Sequence, residues 1–228
     1  MTCEVCGGSG FVEHRRADGT SYSTRCECYT KKRLAALIER SGVSKAYRDK
    51  TVNGYIAKSA DGKKLKTEII TYAKSFDDMV DKGVGIYIYS KTKGSGKTHL
   101  ASALCIAAIN MYQTQSKVVT LIDLFGEVKA SYDDRELRSD LIMNKYKTCK
   151  FLVLDDIGTE NVTAWADETL YDIVDYREKA QLPTVYTSNC PISALKYDER
   201  IKSRIRGHSI ECHADEIDNR KLVLSEAQ

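Results

Sequence analysis

Ile86-Tyr87-Ile88-Tyr89-Ser90-Lys91-Thr92-Lys93-Gly94-Ser95-Gly96-Lys97-Thr98 is the stretch that decides the fold. Its first four residues are aromatic or β-branched and read as a buried strand. A glycine-bearing loop follows, and from Lys97 to Met111 the chain is apolar and helical in character. Strand, Gly-rich loop, Lys-Thr and helix in that order predict a phosphate-binding loop. Main-chain N–H groups at the start of a helix point at anions, and the helix dipole reinforces them. Gly94, Ser95 and Gly96 are therefore expected to bring backbone amides against a polyphosphate. Lys97 is expected to reach its β- and γ-phosphates, and Thr98 to set a hydroxyl on Mg2+. Lys91 stands where such loops usually open with glycine; its ammonium either adds positive charge or points outward.

Further along, Phe151-Leu152-Val153-Leu154-Asp155-Asp156-Ile157-Gly158 is a buried strand ending in two acids. A parallel sheet delivers the C-terminal ends of its strands to the ligand crevice. There Asp155 is expected to hold the Mg2+ shell, and Asp156 to orient or deprotonate an attacking water. Thr187-Ser188-Asn189 closes the next strand and offers an amide that can bond a γ-phosphate or the lytic water. Asp198 to Gly207 reads as a basic helix capped by glycine, with arginines able to reach a neighbouring subunit.

Outward from these motifs the chain alternates short strands (86–89, 118–121, 151–154, 184–187) with helices expected at 67–80, 97–111, 124–132, 136–146 and 164–179. This is the pattern of a parallel α/β sheet. Hydrophobic content of 42% and charged content of 29% are ordinary for a soluble globular chain. No apolar run is long enough to cross a bilayer, and the start of the chain lacks a secretion signal, so a cytoplasmic protein is expected. A net charge of +3 argues against a strongly basic nucleic-acid binder and leaves only local contacts open.

Four of the eight cysteines lie in the first 28 residues as Cys3-x-x-Cys6 and Cys26-x-Cys28. Two tight pairs of thiolates are what a tetrahedral Zn2+ site needs, and the polar residues between them cannot build a core without a metal. The Cys-x-Cys spacing leaves free or redox-active thiols as the competing reading, and His14 as an alternative ligand. Cys105, Cys149, Cys190 and Cys212 are scattered among apolar neighbours and read as core residues. A helix is expected from Lys31 to about Arg40, with Leu34, Leu37 and Ile38 on one side.

Together, Tyr47-Arg48, Gly94–Thr98, Leu154–Gly158, Thr187–Asn189 and Arg200-Ile201-Lys202-Ser203-Arg204 resemble the DnaC/DnaI family of helicase loaders, a branch of the AAA+ ATPases. The resemblance runs from about residue 47 to 207. It implies a P-loop AAA+ three-layer sandwich around a central parallel sheet, with the lid reduced or absent and a small N-terminal zinc module. The implied division is a zinc-binding module over 1–30, a helical linker over 31–46 and the ATPase domain over 47–228. Lys97 and Thr98 then match Walker A, Asp155 and Asp156 Walker B, Asn189 sensor 1, and Arg204 an arginine finger acting in trans through self-association. No sensor role is assigned to Arg220.

The family likeness implies ATP, Mg2+ and Zn2+ as cofactors and ATP hydrolysis that is slow without partners. It also implies that residues 1–45 grip a replicative helicase hexamer and that the segment 122–133 contacts single-stranded DNA through Lys129 and Tyr132. Phe125 and Val128 in that segment suit the core equally well. Two other readings share much of this pattern: an IstB-like transposition helper ATPase working on duplex DNA, and a non-catalytic adaptor that uses nucleotide only for folding.

Overall fold

The computed structural model describes residues 2–133, 139–160, 162–214 and 217–219. Its first elements are a hairpin, β1 (Phe11–Arg15) and β2 (Ser21–Arg25), and a helix α1 (Glu27–Arg40). Helices α2 (Ala60–Lys74) and α3 (Phe76–Asp81) come next. An alternating series follows: β3 (Gly85–Tyr89), α4 (Lys97–Tyr112), β4 (Ser116–Thr120), α5 (Leu121–Asp133), α6 (Ser139–Lys147) and β5 (Phe151–Ile157). It continues through α7 (Ala164–Lys179), β6 (Thr184–Ser188), α8 (Glu199–Gly207) and β7 (Ser209–His213).

The five strands β4-β5-β6-β3-β7 lie side by side in that order, every pairing parallel. Successive residues of a strand face opposite sides. Ile86 and Ile88, Phe151 and Val153, and Val185 therefore pack under α2, α3 and α4. Tyr87, Leu152, Leu154 and Tyr186 pack under α5, α7 and α8. Both sheet faces are covered, which makes three layers and explains strands that are apolar throughout. α4 is buried over most of its surface, so it lacks the polar stripe of an amphipathic helix.

Four expectations need correction. Leu121 begins α5 rather than ending β4, because the Thr120 hydroxyl accepts from the Asp123 N–H at 3.1 Å and donates to its carboxylate at 2.7 Å, a local bond pattern that starts a helix. The helix expected over 67–80 is two helices: Ser59 caps the first by accepting from Gly62 N–H, and the chain breaks at Ser75. Gly207 is the last residue of α8 and His208 follows it as the cap. The edge strand β7 and the hairpin strands were not anticipated, since all three are short and carry few large apolar residues. Part of the helix expected at 136–146 lies outside the described residues, as does Arg220.

The segment after α1 seals one sheet edge. Val118 N–H donates to Ser41 O at 2.7 Å, pairing backbone that an edge strand would otherwise leave open. Gly42 lies there at φ +86°, and a Cβ on it would sit 2.3 Å from Val118 O, so only glycine allows this approach. On the other side of the sheet Arg177 is fully buried with no carboxylate partner among the described residues. Its guanidinium instead donates to the carbonyls of Tyr146, Lys147, Cys149 and Pro183 and to the Thr184 hydroxyl. It thereby ties the end of α6 to the starts of β5 and β6. Arg177→Ala leaves those carbonyls unpaired in the core, and a loss of about 3 kcal/mol or more of unfolding free energy is expected in urea titrations. Arg177→Lys should rescue little of it, because one ammonium cannot fork to so many acceptors.

Candidate functional site

The loop between β3 and α4 wraps the start of α4, with Gly94 at φ +82° and Gly96 at φ +95°. A Cβ on Gly96 would meet the Tyr55 ring at 2.5 Å, and Tyr55 in turn donates its hydroxyl to Ser95 O at 3.1 Å. A buried tyrosine outside the motif thus braces the loop from behind. The Lys97 ammonium folds into the loop, donating to Ser90 O at 3.1 Å and Thr92 O at 3.2 Å. These are neutral acceptors that a phosphate oxygen can outcompete.

At the ends of β5 and β6 the acids meet the loop. The Thr98 hydroxyl lies 3.1 Å from both oxygens of Asp155, and the Thr187 hydroxyl donates to the same carboxylate at 2.5 Å. Burial pushes the Asp155 carboxyl above its ordinary value, and the bonds from Thr187 and Thr98 oppose that shift. A divalent cation at this point would favour the charged form further. Threonine hydroxyl and buried carboxylate together form a donor set suited to Mg2+, a hard ion that takes few protein ligands.

Asp156 follows in a left-handed backbone conformation, φ +57°, which an L-residue adopts only where its surroundings hold it. Its N–H donates to the Thr187 hydroxyl at 2.8 Å, and its side chain accepts from Asn189 Nδ2 at 2.9 Å. Thr187 therefore links both acids, a role not evident from sequence. The amide of Asn189 and the carboxylate of Asp156 are already in register.

Two cavities meet at Thr98. One, of about 350 Å3, is lined by Tyr47, Lys50, the loop 94–98, His99 and Asn219. The other, of about 620 Å3, runs from Thr98 and Asp155 past Thr120 and Asp123 to the segment 40–44. Asn219 closes on the loop, its N–H donating to Gly94 O at 3.1 Å. Tyr55, His99 and Asn219 carried no motif and were invisible until the fold brought them here.

Other anticipated residues lie elsewhere. Arg204 is held within its own chain by Glu178 at 2.5 Å and Asp175 at 2.6 Å on α7, with the Tyr171 hydroxyl at 2.9 Å. Lys129 lies over the Trp165 ring at 4.8 Å, and Tyr132 is exposed with its hydroxyl 3.4 Å from the Trp165 indole nitrogen. Phe125 and Val128 are core residues, and the half-buried Trp165, on another helix, joins them to the exposed Lys129 and Tyr132.

The four N-terminal cysteines converge, their sulfurs all within 4.8 Å of one another. Cys3 and Cys26 are 3.7 Å apart and Cys6 and Cys28 3.3 Å. Tetrahedral Zn2+ with Zn–S of about 2.3 Å requires sulfurs roughly 3.8 Å apart, so the cluster fits the ion. Cys26 caps α1 and Cys28 lies in its first turn, where the helix dipole favours thiolates. The Cys28 thiol and then the Gly10 N–H hold Cys6 down at about 6, whereas Cys6 first and then burial push Cys28 up to about 12. His14 bonds Thr24 at 2.8 Å and stands outside this donor set.

Parallel strands in the order 2-3-4-1-5 by chain position, with a phosphate loop after the first and two acids near the end of the third, define a P-loop ATP-binding fold of the AAA+ type. The model of the IstB-like ATP binding protein family matches residues 32–200, and the chain belongs to that family. It is 32% identical over 158 residues to the replicative helicase loader DnaI of Bacillus subtilis, an alignment covering 69% of this chain and 49% of that protein. The chain thus spans about half the length of that relative. It is 26% identical over 182 residues to the replicative helicase loader DnaC of Buchnera aphidicola, covering 78% of this chain and 72% of that one. The crystal structure of a DnaC helicase loader superposes with a TM-score of 0.67 at 24% identity, over 75% of this chain and all of that one. Among the described residues no helix is long and apolar enough to cross a membrane.

Protein purified from zinc-replete medium is expected to carry one zinc per chain by metal analysis. Cys6→Ser should lose it and expose residues 3–28 to protease while the five-stranded sheet stays protected.

Proposed function

We propose that the chain is an ATP-hydrolysing replication protein that binds a replicative helicase hexamer and helps place it on single-stranded DNA. The observation that carries the proposal is the meeting of Lys97, Thr98, Asp155, Asp156 and Asn189 at one end of the sheet. Its biological direction is supported by likeness to proteins named helicase loaders. In this reading Lys97 leaves the carbonyls of Ser90 and Thr92 for the β- and γ-phosphates. Thr98 and Asp155 would hold Mg2+, which when bound neutralises charge on the phosphates. Asp156 takes the proton of the attacking water or aligns it. Asn189, bonded to Asp156 at 2.9 Å, trades that partner for the γ-phosphate, so the amide reports which nucleotide is bound.

Arg204 serves the neighbouring subunit's phosphate in this scheme. It must first leave Asp175 and Glu178, whose side chains hold it in the single chain. Turnover by the isolated chain is therefore slow, and self-association on the helicase raises it. The cysteine module and α1, over residues 1–45, are the proposed helicase grip, and Lys129 and Tyr132 the proposed contact with single-stranded DNA.

Asp156→Asn is expected to lower ATP turnover by about 100-fold or more while nucleotide affinity stays within about twofold, read by steady-state kinetics and equilibrium binding. Wild-type loading by that variant would favour an adaptor that needs no hydrolysis. Co-purification tests the partner. Capture of a replicative helicase, with turnover raised by helicase and single-stranded DNA, is the expected result; a fast monomer indifferent to both would overturn the proposal.

A further inference from the structure

The hairpin of the cysteine module displays side chains that neither a metal nor the sheet requires. Phe11, Tyr22 and Tyr29 are 50%, 44% and 39% exposed, costly for rings that contribute little to a core. Both tyrosines are paired with a guanidinium: Arg16 lies 5.1 Å from the Tyr22 ring centre and Arg25 lies 5.3 Å from that of Tyr29. Phe11 lies 6.2 Å from Tyr29. The register sets Phe11 opposite Arg25 and Arg15 opposite Ser21, and alternation puts all four on one face. Tyr22, stacked at 5.0 Å on His14, occupies the other face, so each side of the ribbon offers a ring.

Charge is as uneven as aromaticity. Residues 11–33 hold six cations (Arg15, Arg16, Arg25, Lys31, Lys32 and Arg33) against three carboxylates. That formal excess equals the +3 of the whole chain; four thiolates around Zn2+ would return two negative charges, so it is the placement of the arginines on the strands, not net charge, that matters. Two of the carboxylates are engaged within the module, Asp18 with Thr20 in the hairpin turn and Glu27 with Lys31. Glu13 is then the acid exposed on the strands themselves.

We propose that this hairpin is a second contact surface for single-stranded DNA. Phe11, Tyr22 and Tyr29 offer stacking faces to bases, and Arg15, Arg16 and Arg25 meet phosphates. Exposed rings bordered by guanidinium groups are the means by which small modules hold single strands without reading sequence. The choice of DNA rests on the function proposed above; the surface itself does not.

The test uses the full zinc-loaded chain without nucleotide, and a labelled oligothymidylate of about twelve nucleotides followed by anisotropy. Phe11→Ala and Tyr22→Ala are each expected to weaken binding about tenfold with zinc content unchanged. Arg15→Gln and Arg16→Gln should each lower the salt slope of binding by about 0.7. Glu13→Gln should tighten binding, an effect that a folding defect cannot mimic. Photo-crosslinks from iodouracil oligonucleotides should map to residues 11–29.

Zinc-loaded variants that bind like wild type, or crosslinks confined to 121–147, would overturn the inference. So would hairpin variants that keep oligonucleotide affinity but lose helicase capture, because the surface would then be a protein dock. Loss of helicase capture and of turnover stimulation by wild-type protein, with hairpin crosslinks intact, would sink the loader proposal alone.

Discussion

The Asp155 carboxylate, drawn between the hydroxyls of Thr98 and Thr187, is the contact on which the rest of the cleft depends. It joins three elements that are far apart in sequence: the phosphate loop, the strand that ends in acids and the strand beside it. Burial makes the charged form costly there, and two hydroxyls offset only part of that cost. Such a group is poised to gain from a cation. Thr187 passes the same constraint to Asp156, whose N–H donates to the Thr187 hydroxyl and whose backbone is left-handed. Geometry at the acids and order in the loop are therefore one property.

A second constraint ties the N-terminal part to this cleft. Leu34, Leu37 and Ile38 of α1 pack on the core beneath α4, and the segment after it pairs with edge strand β4. The same segment forms a wall of the cavity that reaches Thr98 and Asp155. The module that carries the cysteines is thus not hung on a loose tether.

Arg204 illustrates how a motif can be legible while its state is not. The family resemblance gives Arg204 as a proposed cation for a neighbouring subunit; within one chain it sits among Asp175, Glu178 and Tyr171. Lys129 is similar: its position on α5 was foreseen, its seat over Trp165 was not. Both are long side chains whose charged ends settle on whatever the tertiary fold brings near.

Local chemistry was readable from the chain alone. The phosphate loop, the acid pair, the two close cysteine pairs and all four expected strands are contiguous or tightly spaced runs whose residue types mark them locally. The start of α5 was misread because Thr120 and Asp123 cap it through side-chain bonds that compete with strand pattern. β7 went unseen because a five-residue strand with one buried side chain is specified by the neighbour it pairs with. Tyr55, Thr187, Asn219 and Trp165 belong to the sites only through contacts 30 or more residues distant. Sequence by itself marked the candidate groups for phosphate and metal, since that candidacy is a matter of residue type and short spacing. Tertiary structure alone decided which groups brace, bridge or restrain them, because those partnerships arise only when a buried sheet forces distant segments into contact.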